Sequence, residues 1–459
     1  MLVFLSIVPS VHRSAQWRPD ERVLISDFSY IDAVAASPWT VFAATHHGLL
    51  IYDRAARAWK LPVTTLDGYP TTRVRSAVAD QTGNAVWLNI GGQGGWVRYD
   101  VDARMWTRGA SPPTGQAQMQ TVEGALARAP AADAVRALIL TDPRLRSYQF
   151  TAAASTPDRP ELFFGTNGIG LVRVDPQTGE WEALPYGLVA SGVGAIASAP
   201  DGLWAATNAR LTWLASDLSA TRTSEGGGAA LGFTFRWPRR LLAANGALWL
   251  ATEQGVVRID PRTMRARTFE LADVTSLAVA PDGVWVGTTR GVSVITRDDR
   301  IVRVSTDFPA LSLVAARDTL WVGTNAGVVM MPPGRADAVG VTALSQTIFA
   351  MTRAGDAIVA ATDRSVVWRD SSSGAWKEVP LSLALGRPTT LAADPDGGVW
   401  VGGTQGLARV DLARAFIRTL TVPVDLPAAV RDVATDRDYL WVATDSGLVR
   451  FDRRAALNR

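Results

Sequence analysis

Cysteine is absent from the 459 residues, which removes disulfides, thiolate metal sites and cysteine nucleophiles at once. That absence is neutral about compartment, because a chain without thiols is at home in reducing and oxidising surroundings alike. Histidine is nearly absent as well: with only His12, His46 and His47, triads and histidine-based lyase chemistry have almost no raw material. Lysine is confined to Lys60 and Lys377, the rest of the 46 basic residues being arginine against 43 acids. A net charge of +3 without basic runs leaves no footprint for nucleic acid. No run approaches the roughly 20 apolar residues of a membrane-spanning helix. The one targeting candidate is MLVFLSIVPSVHRSA, residues 1–15, with an apolar run over 2–8 and a cut after Ala15, although it lacks a basic start and has Arg13 at −3. Read as a leader it predicts an extracytoplasmic protein, in the periplasm or at the cell surface; the alternative is a cytoplasmic one.

What the sequence does have is one phrase, repeated. VWVGTTRGVSVI (284–295) returns 36 residues later as LWVGTNAGVVMM (320–331), and ten copies can be aligned. The others are VFAATHHGLLIYD (41–53), VWLNIGGQGGWVRYD (86–100), LFFGTNGIGLVRVD (162–175), LWAATNARLTWL (203–214), LWLATEQGVVRID (248–260), IVAATDRSVVWRD (358–370), VWVGGTQGLARVD (399–411) and LWVATDSGLVRFD (440–452). Most lie 36 to 45 residues apart, the length of a four-stranded propeller blade, and only the step from Trp87 to Phe163 is much longer. Each copy reads as two paired strands around a Thr-x-x-Gly corner, with Gly48, Gly255, Gly291, Gly327 and Gly447 supplying the positive φ of a tight hairpin. Near-continuous apolar character indicates strands covered on both faces. Asp-initiated turns such as DPQTGEW (175–181) lead to a fourth strand, and runs such as VTSLAVAPDG (274–283) supply the first.

This pattern predicts an all-β protein, a β-propeller of four-stranded blades spanning 16–459, with about ten blades in one closed ring. RVLIS (22–26) lacks a partner nearby, as does GLVRFD (447–452), so the two should pair and close the ring. Two smaller propellers divided near 224–232 are the alternative. Residues 111–148 interrupt the repeat with two runs of helical spacing, TVEGALARA and AADAVRALIL, and predict a helical hairpin insertion.

On the phrase [LV]W[VLA][GA]T-x-x-G-[LV]-x-x-x-D, the chain resembles the two-component regulator propeller repeats of bacterial sensor proteins. The resemblance covers 22–452 and implies a ligand-binding, sensor-type platform of the extracytoplasmic kind. It departs from that family in having ten copies and in having no kinase or DNA-binding segment after Asp452.

Recurring residues are scaffold on this reading: Asp53, Asp175, Asp260, Asp411 and Asp452 begin turns, while Trp87, Trp204, Trp249, Trp285, Trp321, Trp400 and Trp441 pack blades. His46 and His47 share one hairpin corner, where a metal would need an acid such as Asp445 across the ring closure; the expectation is no metal, no cofactor and no catalytic residue. Departures from the repeat are better candidates. Long connections at 64–75, 185–194 and 224–240, with the insertion, bring Tyr69, Arg73, Arg75, Arg146, Tyr148, Tyr186, Phe235, Trp237 and Arg239 to one face over blades one to four, and aromatics mixed with arginine suit a binding surface. The sequence therefore predicts a non-enzymatic binding module for a small molecule, a glycan or a protein partner. A polysaccharide hydrolase or lyase with paired carboxylates in the central channel is the alternative.

Overall fold

At each hairpin corner one threonine organises the turn. Thr45 Oγ1 donates to Gly48 O (2.8 Å) and accepts from the amides of His47 and Gly48, and Thr252, Thr288, Thr324 and Thr444 donate to the glycine carbonyl in the same way. The glycine answers to crowding more than to a tight-turn φ. A Cβ at Gly447 (φ 141°) would stand 2.5 Å from Ile25 O, and one at Gly48 would stand 2.8 Å from Val63 O, so the fourth strand closes over this position only because no side chain is there. Asp53, Asp175, Asp260 and Asp411 each accept two backbone amides of the following turn, as the sequence predicts, and Asp452 instead accepts Ala455 N at the start of α2, the helix Arg453–Asn458.

These local rules build ten antiparallel sheets, seen in a computed structural model that describes residues 17–91, 95–113, 121–127, 148–224, 238–306, 308–317, 319–331, 339–340, 344–370, 373–414 and 416–458. The sheets are numbered here in chain order: 31–64, 76–108, 150–184, 193–223, 240–270, 274–305, 312–340, 350–380, 388–421 and 430–452. Sheet 10 takes its fourth strand from the start of the chain. Arg22 to Ile25 pair antiparallel with Phe451 to Leu448, the closure expected for the orphan segments. Helix α1, Val122–Ala127, is the described part of the insertion; its other helical run, 131–140, lies outside the described residues, as does the leader candidate 1–15. No described helix is long and apolar enough to cross a membrane.

The packing order of the sheets departs from a single ring of ten. The first strands of sheets 4 to 10 lie side by side in order, and that of sheet 4 also lies against that of sheet 10. Apolar clusters fill the successive spaces, for example Leu248, Leu250 and Val257 against Ala195 and Leu211, and Val430, Val433 and Leu440 against Trp400 and Leu407. Polar groups tie the last space. Asp432 Oδ2 of sheet 10 accepts Ile196 N of sheet 4 (3.0 Å), and Arg450 Nη1 donates to Ser216 O (2.9 Å). Sheets 1, 2 and 3 form a separate arc in the order 3, 1, 2, with the first strand of sheet 1 flanked by those of sheets 3 and 2. The division falls at the connection 185–192, not near 224–232. Phe28, Tyr186 and Leu188 fill the junction, where arc and seven-sheet group share one core cluster.

One side chain records the sense of the arc. Where the first strand carries an extra residue near its start, Thr275 donates Oγ1 to Ala310 O, just ahead of sheet 7, and Thr389 donates Oγ1 to Val430 O of sheet 10 (2.9 Å), in each case toward the next sheet in chain order. Thr151 of sheet 3 donates from the same position to Ile31 O of sheet 1 (2.5 Å). Sheet 1 thus follows sheet 3 as sheet 10 follows sheet 9. The free face of sheet 3 is covered by α1, whose Ala125 and Leu126 pack on Leu162, Phe164 and Val172.

Candidate functional site

The first strand of sheet 1 reads IDAVAA, an acid set among apolar residues, and the pairing shifts register at that acid. Asp32 therefore occupies the extra-residue position that holds Thr151, Gly194, Thr275, Thr389 and Arg431 in five other sheets. Its side chain is fully buried. Oδ1 accepts Arg73 Nε at 2.7 Å and meets His46 Nε2 at 3.2 Å. Hydrogen bonding and charge from Asp32 push the Arg73 guanidinium further above its ordinary value. Tyr30 completes the cluster, stacked on His46 at 4.4 Å with the Arg73 guanidinium 5.9 Å from its ring centre. Oδ2 of Asp32 has no hydrogen-bond partner among the described residues.

Asp32 lines a cavity of about 340 Å³ on the axis of the arc, with Arg75 and Ser76 from sheet 2, Thr151 from sheet 3 and Glu123 from α1 among the other walls. Arg75 lies across Gly91 (φ 68°), where a Cβ would come within 2.5 Å of its Nε, so the glycine leaves space for the guanidinium. The cavity thus joins two carboxylates, a guanidinium and hydroxyls, groups that can hold a ligand carrying both donors and acceptors.

The repeat makes the position of Asp32 unusual. In sheets 5 and 10 the corresponding pairs are Arg239 with Glu253 (3.3 Å) and Arg431 with Asp445 (2.7 and 2.8 Å). Base and acid stand in the opposite order to Asp32 and His46. Asp445 is therefore engaged by Arg431, and the acid beside His46 is Asp32, a correction to the pairing of His46 and Asp445 considered from sequence.

The residues expected on one face are divided. Arg73 and Arg75 come together at the arc. Tyr148 stands on the corner of sheet 3, where a Cβ at Gly168 would touch its ring. Tyr69 is buried and donates its hydroxyl to Thr45 O at 2.7 Å, holding the 64–75 connection down, and burial pushes its phenol far above the ordinary range. Tyr186 is buried between Phe28 and Trp59 at the junction. Arg239 belongs to the seven-sheet group. Arg146, Phe235 and Trp237 lie outside the described residues. Sequence reasoning passed over Asp32 and Glu123; the signal for Asp32 was an acid inside an apolar first strand. No group of histidine and acid side chains suited to a metal occurs among the described residues.

No protein-family model matches the sequence, and no curated protein does. Among solved structures, a streptogramin B lyase is similar over 57% of this chain and 93% of its own, at 14% identity and a TM-score of 0.49. Virginiamycin B lyase from Staphylococcus aureus is similar over 57% of this chain and 94% of its own, at 14% identity and 0.47. The extracellular domain of a B. thetaiotaomicron protein described as a hybrid two component system is similar over 93% of this chain and 69% of that domain, at 15% identity and 0.48. At such identities and TM-scores these likenesses carry no argument, and the architecture rests on the sheets themselves. The chain is an all-β protein whose described residues form ten antiparallel sheets, nine of four strands and one of five.

Proposed function

We propose that the chain is a non-enzymatic, sensor-like binding module, in an extracytoplasmic setting, that holds a small polar ligand in the cavity on the arc axis. The observation that carries this reading is Asp32 Oδ2. A buried carboxylate oxygen without a partner is costly, and native structures keep such groups where something else supplies the bond. The other buried carboxylates among the described residues are fully used: Asp394 meets Arg453, Arg409 and Trp400, and Asp432 meets Arg240, Thr390 and Ile196. The ligand would present a hydroxyl or ammonium donor to Asp32, as a glycan or an amine does. Arg73, Arg75 and Tyr148, from the expected set, would frame its entry; Arg146, Phe235 and Trp237 remain candidates for the same face.

The test is a thermal-shift screen of sugars and small amines against the parent and Asp32→Ala. A ligand at about one hundred times its Kd stabilises the parent by about 2.7 kcal/mol and leaves the variant unmoved. Equal stabilisation of both would place the site elsewhere. A second reading, hydrolysis of a polysaccharide, is favoured by one observation, that Asp32 and Glu123 line the same cavity. It requires product release from an oligosaccharide that Asp32→Asn and Glu123→Gln each abolish.

A further inference from the structure

A second cavity, of about 800 Å³, opens between sheets 4 and 5. Its walls include Trp204, Arg222 and Ser224 from sheet 4 and Arg262 and Arg265 from the Asp260 turn of sheet 5. None of its described lining residues is acidic, and Arg222, Arg262 and Arg265 form no ion pair among the described residues. Asp260, the acid of that turn, directs Oδ1 to the amides of Arg262 and Thr263, which hold its carboxyl below the usual range. This arrangement contrasts with the neighbouring sheet surface, where Asp299 alone pairs with both Arg258 and Arg267.

Two further features show a prepared wall. The Arg222 guanidinium is set over the Trp213 ring at 4.3 Å, which restrains its plane, and the residue is exposed. Ser224, a residue of the cavity wall, is buried, and its Oγ has no hydrogen-bond partner among the described residues. Three cations that form no close ion pair among the described residues, around a concavity, raise local anion concentration, and guanidinium planes suit carboxylate and phosphate oxygens.

We infer that this crevice binds a small organic polyanion, its carboxylate or phosphate groups met by Arg222, Arg262 and Arg265 and a further oxygen by Ser224 Oγ. The site is independent of the arc cavity. Titration calorimetry at low salt would use trigalacturonate as the carboxylate probe, inorganic pyrophosphate as the phosphate probe and maltotriose as the neutral control. At least one anion should bind saturably, and the tighter of the two names the source of the charge. Arg262→Gln combined with Arg265→Gln, both exposed and removable without unfolding, should weaken it about tenfold or more. Ser224→Ala should weaken it by a smaller factor, and added salt should weaken it in the parent. The inference is overturned if neither anion binds more tightly than maltotriose, or if the double variant binds as tightly as the parent.

Discussion

Asp432 and Asp32 lie one position apart in equivalent first strands and do opposite work. Asp432 spends both oxygens on neighbours, accepting from Ile196 N, Arg240 and Thr390, and so ties sheets 4, 5 and 9 to sheet 10. Asp432→Ala should leave a buried amide unpaired and remove a buried acceptor of charge, at a cost of about 3 kcal/mol in urea unfolding. An unchanged midpoint would mean that the last space between sheets is held by apolar packing alone. Asp32 keeps one oxygen unspent, and that difference separates a structural acid from a candidate binding one. Neither role was legible from sequence, because an acid in a first strand reveals its function only through which neighbouring strand supplies its partners. The turn acids, by contrast, were legible, since their partners are two and three residues away.

At the scale of elements, the repeat phrase determined the hairpins, the Asp turns and the closing strand, all of which depend on local spacing. The closing strand has a consequence in solution. Removing residues 1–28 strips Arg22 to Ile25 from sheet 10 and leaves its 447–452 strand as an exposed edge. The truncated protein should melt lower and elute as aggregates in size-exclusion chromatography with light scattering. A monomer with unchanged melting would remove the closure from the account. The insertion shows the limit of periodicity: apolar spacing at 122–126 predicts a helix and α1 is present, yet only packing reveals that it covers sheet 3 and walls the arc cavity.

At the scale of the whole molecule, ten copies of one phrase suggested ten equal neighbours. Copy number carries no information about which copy packs on which, because every sheet face offers similar valines, alanines and leucines. The long step between Trp87 and Phe163 was the one trace in the sequence of an interrupted order. Sheet 4 packs on sheet 10, which leaves sheets 1 to 3 as an arc with its own axial cavity. Gly192 and Asp445 test it most directly: a Cβ at Gly192 would lie 3.6 Å from Asp445 O, and the chain contains no cysteine to compete. Gly192→Cys with Asp445→Cys costs only an exposed ion pair, and mild oxidation should give an intramolecular disulfide, read as a mobility shift and as a linked peptide by mass spectrometry. In a single ring of ten, sheets 1 to 3 would stand between these positions. Failure of the two cysteines to join, in a variant that remains folded and monomeric, would contradict the arrangement.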